Sequence, residues 1–285
     1  MSEAVTIFEV GPRDGLQNEA GLISTADKIK LVDLLSATGL RKIEVSSFVS
    51  RSAVPQMADA AAVFAGIARR PGVAYAALTP NLRGYEAAVT ARADEVAIFA
   101  SASEGFSRRN INCSIEESFA RFAPVAGAAT TAGVPMRGYV SCITRCPYDG
   151  PVAPQAVASV AQRLFALGCY EVSLGDTIGA AEPEQIAELL RVLLPGMSAS
   201  RFAGHFHDTN GRALDNIGVC VAHGLRVFDA SVGGLGGCPF APGSAGNVDT
   251  VAVVAFLERQ GYSTGVDQDK LATAARFAKS LRSQS

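Results

Sequence analysis

No long basic run occurs in the chain, and its formal net charge is −2, which argues against nucleic acid or an anionic membrane as the main partner. Nor is any apolar stretch long enough to span a bilayer. The first residues, MSEAVTIFEV, carry acid where a targeting segment would carry base, so neither a signal nor a transit peptide is expected. Six cysteines (Cys113, Cys142, Cys146, Cys169, Cys220 and Cys238) are scattered through a chain too large to need disulfide staples, which fits a reducing compartment; the expected location is cytoplasmic. Linkers and low-complexity tracts are missing too, and no glycine-rich dinucleotide fingerprint follows the first β-rich run. With 285 residues, 18% of them charged and 48% hydrophobic, the chain can bury roughly 75% of its unfolded surface, and residues 1–285 are expected to form one catalytic domain.

What is present is a repeat of short β-rich runs separated by helical stretches. Eight such runs start at Val5, Arg41, Val73, Glu95, Met136, Tyr170, Phe202 and Val227. Their mean spacing of roughly 32 residues is that of a βα unit, and eight units close a (β/α)8 TIM barrel, an α/β fold. Helix signals fall between them. Ser24 and Thr25 precede the apolar periodicity of Ile29, Leu31, Leu34 and Leu35, with Gly39 as its stop; Ser114 and Glu117 form a capping-box pattern ahead of Phe119 and Phe122. A further C-terminal helix is expected at about 267–282.

A barrel places its chemistry at the C-terminal ends of its strands, and the unusual polar residues fall there. Arg13 and Asp14 follow the first run, Glu44 is read as ending the second, Asp176 as following the sixth, His205 and His207 as ending the seventh, and Asn247 as following the eighth. Histidines at i and i+2 on a strand project to the same face. With a carboxylate from Asp14 and an amide oxygen from Asn247 they would make a site for one divalent cation; the competing reading is two hydrogen-bonded histidines in a polar barrel mouth. Glu44 and Asp176 would either orient Arg13 or a ligand, or simply line the mouth. The glycine-rich segment from Gly233 carries Cys238 and reads either as a lid that brings a thiol to the site or as a solvent loop. It lacks the closing Lys-Ser/Thr of a phosphate-binding loop. His223, before Gly224 at a helix end, is given no site role, and Cys142 and Cys146 lack a second ligand pair and are read as structural.

Several stretches carry a resemblance: EVGPRDGLQNE at Glu9, VPQM at Val54, LTPNL at Leu78, NINCSIEES at Asn110, RGYVSC at Arg137, CPY at Cys146, GCYEVSLGDTIG at Gly168, HFHDT at His205 and GLGGCP at Gly234. Over nearly its whole length the chain resembles the 3-hydroxy-3-methylglutaryl-CoA lyases, within the barrel metallolyases. The resemblance implies Mg²⁺ or Mn²⁺ held by Asp14, His205, His207 and Asn247. It implies an enolate-stabilising role for Arg13, a loop thiol required for turnover at Cys238, and an acyl-CoA contact at Asn110. The implied reaction is cleavage of 3-hydroxy-3-methylglutaryl-CoA to acetyl-CoA and acetoacetate, a step of leucine degradation, with His205 or Asp14 as the base. A small acyl-CoA is the expected partner and a homodimer a candidate assembly. Departures are confined to the edges of the site: Val251 and Ala252 stand where acids are expected, and Asn210 where a tyrosine often follows. These keep alive a related lyase, or a Claisen-type condensing enzyme, acting on another acyl-CoA.

Overall fold

The computed structural model describes residues 2–236 and 246–282. The eight β-rich runs form parallel strands: β1 (Thr6–Glu9), β2 (Lys42–Ser47), β3 (Ala74–Leu78), β4 (Glu95–Ser101), β5 (Met136–Ser141), β6 (Val172–Asp176), β7 (Phe202–Phe206) and β8 (Val227–Ala230). Each pairs with its sequence neighbours and β8 returns to β1, with Thr6 opposite Val227 and Glu9 opposite Ala230, so the sheet closes into a barrel. Helices lie between the strands: α1 (Thr25–Ser36), α2 (Ala60–Gly66), α3 (Leu82–Thr90), α4 (Glu104–Ile111), α5 (Ile115–Ala132), α6 (Pro154–Ala166), α7 (Pro183–Leu193) and α8 (Ala213–Ala222). The last unit adds α9 (Thr250–Arg259), and α10 (Gln268–Arg282) is the extra C-terminal helix. This is the expected (β/α)8 barrel. None of its described helices is long and apolar enough to cross a membrane.

Local signals act where the sequence places them. Ser24 caps α1 by accepting from the Asp27 amide. The Ser114 hydroxyl accepts from the Glu117 amide at 3.1 Å while the Glu117 carboxylate accepts from the Ser114 amide at 2.7 Å, a complete capping box on α5. Gly39, past the end of α1, has φ +92° and passes so close to the Gly265 carbonyl that a Cβ would lie 2.4 Å from it, so only glycine fits. Two features carry no sequence-level periodicity: α4 intervenes between β4 and α5, and residues Arg145–Cys146 pair with Gly150–Pro151 in a small antiparallel ribbon after β5.

The strand alternation divides the interior in two. Ile7, Ile43, Val45, Val140, Leu174, Phe202, Phe206 and Phe228 belong to the main core, where the strands meet the surrounding helices. The opposite faces line the barrel axis, with Phe8, Val10 and Ala76 in one small apolar cluster and Leu78, Ala97 and Tyr139 in another. Charged residues share this inner lining: Arg137 and Glu44 are wholly buried and Asp229 nearly so.

Glu9, at the end of β1, fastens the closure. Its carboxylate accepts from the amides of Gly11 (2.8 Å) and Val232 (2.9 Å) and from the Thr250 hydroxyl (2.6 Å), joining β1, the segment after β8 and α9. Burial pushes its carboxyl up to about 7 from an ordinary 4.5, against the pull of those hydrogen bonds. The native protein therefore holds this proton more tightly than the unfolded chain. The stabilisation is complete below pH 4.5 and is lost as pH rises through 7, by about 3 kcal/mol in all. Glu9→Gln keeps an acceptor for the two amides and has nothing to titrate. Its melting temperature should match wild type at pH 4 and exceed it at pH 8 by roughly 5–10 °C. A gap between the two proteins that stays constant from pH 4 to pH 8 would refute this account.

Candidate metal centre

The segment GPRDG after β1 is a single π-helical turn, Gly11–Gly15, in which the Val10 carbonyl accepts from the amides of Arg13, Asp14 and Gly15 at 3.2, 2.7 and 3.2 Å. Such turns recur at functional sites. Pro12 suits the first turn, where no amide donor is needed. Gly15 is packed so tightly that a Cβ would lie 2.6 Å from Ser231 Oγ and 2.7 Å from Leu235 Cβ. The turn is thus wedged against the segment after β8, and this fixes Arg13 and Asp14 at the mouth of the barrel.

On β7 the alternation sends Phe206 into the helix-facing core and leaves His205 and His207 on the other side, their rings 5.6 Å apart. Asp14, His205 and His207 each offer a ligand atom, and these atoms all lie within 4.8 Å of one another. His205 Nε2 is 3.9 Å from Asp14 Oδ2. Asn247 joins them: its backbone forms an antiparallel bridge with His207, and its Nδ2 donates to Asp14 Oδ2 at 2.8 Å. All four residues expected to hold a cation are therefore brought together.

The donor set fits a divalent cation. Two imidazoles, one carboxylate and one amide suit a borderline or hard dication. The buried His207 Nδ1 has no hydrogen-bond partner among the described residues, and an orphaned buried polar atom costs about 1–3 kcal/mol unless something meets it. Burial, with the nearby His205, pushes the His207 imidazole down to about 4, so near neutral pH it is uncharged, as a metal ligand must be. Burial would raise Asp14, but Arg13, His205 and His207 outweigh it and hold the carboxyl well below the usual range. It would be the anionic member of the set.

Arg13 is buried and held on both sides. Its Nε donates to Glu44 Oε2 and its Nη1 to Asp14 Oδ1, both at 2.5 Å, and its guanidinium carbon lies 5.6 Å from the centre of the Tyr139 ring. Burial disfavours the cation, yet Glu44 and Asp14 more than compensate, and the guanidinium stays charged. Glu44 is itself raised by burial despite Arg13, and its other oxygen accepts from the Tyr139 hydroxyl at 3.2 Å. The remaining sequence-expected residues lie apart from this cluster or are otherwise engaged. Asp176 turns both carboxylate oxygens to the amides of Ala180 and Ala181, at 3.2 and 3.0 Å, and so shapes its own loop. Asn110 is exposed on the last turn of α4. Cys238 lies outside the described residues. His223 bonds the Val219 carbonyl of its own helix at 2.8 Å.

Two participants escape sequence reasoning. Tyr139 links Glu44 to Arg13 and meets His205 edge to face, with ring centres 6.2 Å apart. Asp229 on β8 accepts from His205 Nδ1 at 3.1 Å. The available signal for Asp229 was an acid between Phe228 and Ala230, two residues that belong to the helix-facing core; alternation turns the residue between them inward.

Comparison with known proteins finds extensive similarity over nearly the whole chain. The sequence profile of the HMGL-like family matches residues 4–278. A Pseudomonas aeruginosa protein named 3-hydroxy-3-isohexenylglutaryl-CoA/hydroxy-methylglutaryl-CoA lyase is 55% identical over 276 residues, covering 97% of this chain and 92% of its own. The crystal structure of the HMG-CoA lyase from Brucella melitensis superposes with a TM-score of 0.98 at 59% identity, covering 99% of this chain and 100% of that one. An Acinetobacter baumannii HMG-CoA lyase solved in complex with coenzyme A and 3-methylmalate has a TM-score of 0.93 at 36% identity, over 98% and 92% of the two chains.

A cation that binds only the folded protein stabilises it by about 2.7 kcal/mol at a hundred times its dissociation constant. Saturating Mn²⁺ should therefore raise the melting temperature of the wild type by several degrees, and His207→Ala should lose most of that shift. Equal shifts in the two proteins, followed by differential scanning calorimetry, would remove His207 from the site.

Proposed function

The chain belongs to the HMGL-like family, and from that premise we propose that it is a divalent-metal-dependent carbon–carbon lyase cleaving 3-hydroxy-3-methylglutaryl-CoA to acetyl-CoA and acetoacetate. The observation that carries this reading is the convergence of Asp14, His205, His207 and Asn247 beside a buried, permanently charged Arg13. Asp14, His205, His207 and Asn247 would hold one Mg²⁺ or Mn²⁺, which when bound supplies Lewis acidity.

The chemistry asked of the side chains is a retro-Claisen cleavage. A base removes the proton of the tertiary hydroxyl, the carbon–carbon bond breaks as the ketone of acetoacetate forms, and the electron pair passes to the acetyl thioester as an enolate. His205 and Asp14 are the candidate bases. Arg13, aimed by Glu44 and backed by Tyr139, meets the developing enolate oxygen with planar donors that never lose their charge. Cys238 delivers the proton that turns the enolate into acetyl-CoA, the part played by a loop thiol in the family it resembles. Asn110 on its exposed helix end meets the CoA portion, while Glu44 and Asp176 act from behind, on Arg13 and on the mouth loop. The Acinetobacter relative, solved with coenzyme A, supports an acyl-CoA substrate. Residues 1–285 serve as one catalytic domain, with the cytoplasm as compartment and a homodimer as the assembly.

A second reading, activity on a 3-hydroxyglutaryl-CoA with a larger hydrocarbon chain at C3, is favoured by the Pseudomonas relative whose name includes the isohexenyl substrate. Val251, which replaces an expected acid, packs against the main core near the start of α9. A panel of the two substrates separates the readings.

The direct test is cleavage by the purified protein with and without Mg²⁺, followed as acetoacetate release for 3-hydroxy-3-methylglutaryl-CoA and as consumption of the acyl-CoA for the larger substrate; no metal-dependent cleavage of either would sink both readings. Arg13→Lys should lose far more in kcat than in apparent substrate affinity, because an ammonium cannot present the guanidinium's planar fork to the enolate. Wild-type kcat with only a raised KM would assign Arg13 to ground-state binding. Cys238→Ser should retain Mn²⁺ and acyl-CoA binding yet lose about 10²- to 10⁴-fold in turnover, since a hydroxyl is a far poorer proton donor than a thiol. Wild-type turnover in this variant would move the proton donor elsewhere.

A further inference from the structure

We infer that Asp229 is a positioning residue that fixes the tautomer and aim of His205, keeping its Nδ1 protonated so that the Nε2 lone pair faces Asp14. This deepens the metal-centre reading and rests on it.

The two residues sit in register on adjacent strands, Asp229 of β8 opposite His205 of β7. Asp229 is only 2% exposed, and its carboxylate is the meeting point of four donor contacts. Its Oδ2 accepts from His205 Nδ1 at 3.1 Å, from the Ser173 hydroxyl at 2.7 Å and from Arg137 Nη1 at 3.2 Å; its Oδ1 accepts from Arg137 Nη2 at 2.7 Å. Arg137 is anchored in turn through its Nε to Glu171 at 2.7 Å and stacks on Phe8, its guanidinium carbon 4.1 Å from the ring centre. A carboxylate gripped by a bidentate guanidinium is an acceptor only. The imidazole nitrogen that faces it must donate, and a neutral ring has one N–H to give. That leaves Nε2, 3.9 Å from Asp14 Oδ2, as the lone pair presented to the cluster.

His207 provides the contrast within the same site. Its buried Nδ1 has no hydrogen-bond partner among the described residues, and its backbone is bridged to Asn247. The two histidines are therefore unequal: one ring is held by a carboxylate behind it, while the other has no such carboxylate among the described residues. Outer carboxylates of this kind orient metal-binding imidazoles, and their loss weakens metal affinity by about 10- to 100-fold.

Two measurements test the inference. ¹⁵N NMR of histidine-labelled, Mg²⁺-loaded protein should find His205 as the Nδ1–H tautomer; an Nε2–H ring overturns the inference. Mn²⁺ titration by electron paramagnetic resonance should find Asp229→Asn about 10- to 100-fold weaker than wild type. Because that variant leaves Arg137 buried without its carboxylate and could unfold, Asp229→Asn combined with Arg137→Met removes the stranded cation as well, and the same loss of Mn²⁺ affinity is expected in that folded protein. Wild-type affinity in either folded variant overturns the role of Asp229. Failure of the wild type itself to bind Mn²⁺ overturns the metal-centre reading and this inference with it, a result distinct from tight wild-type binding that Asp229 does not influence.

Discussion

A guanidinium on the barrel axis, with no contact to solvent, is the constraint around which this interior is arranged. Arg137 is wholly buried, and an uncompensated charge at such a position destabilises a fold by about 3–5 kcal/mol. Glu171 and Asp229 meet it with three hydrogen bonds, and Phe8 offers its ring face. Once Asp229 is committed to Arg137, its position is set by the barrel, and His205 inherits that precision through a single further hydrogen bond. The charge pairing that stabilises the interior is thus the support on which the chemistry at the mouth stands.

A second buried cation sits above the first and is balanced differently. Arg13 is met by Glu44 from β2 and by its own neighbour Asp14. Asp14 must serve two masters, since it also lies against His205 and Asn247. Its carboxylate remains anionic because Arg13 and the two histidines outweigh the cost of burial, which suits it to a cation site and leaves it a weak base. The π-helical turn makes this possible. By turning three successive amides onto the Val10 carbonyl, it sets Arg13 and Asp14 side by side at the mouth, where an extended segment would have sent alternate side chains to opposite sides.

Much of this was legible in the chain. The eight β-rich runs are recognisable because each supplies apolar residues to the helix-facing core, and the caps at Ser24 and Ser114 act within a few residues of themselves. His205 and His207 declared themselves through strand spacing, and Asp14, Arg13 and Asn247 through their positions after strands. Asp229 and Tyr139 stayed hidden because single inward-facing residues on short strands have no periodicity of their own. Asp176 shows the converse: at the C-terminal end of β6 it looks like a mouth residue, yet its carboxylate is consumed by two amides of its own loop.

The sequence by itself determined the barrel, its repeat and the set of residues at the strand ends, since alternation, capping and spacing are local physics that act over a few residues. Only the tertiary structure decided which of those residues touch. Asn247 reaches Asp14 across 233 positions of chain, and Asp229 reaches Arg137 across 92, because closure of β8 onto β1 and the stacking of inward side chains bring them together. Proton affinities follow from that closure as well. A carboxyl raised at Glu9 and one depressed at Asp14 begin as the same functional group on the same short stretch of chain, and they differ because only Asp14 has a buried cation beside it.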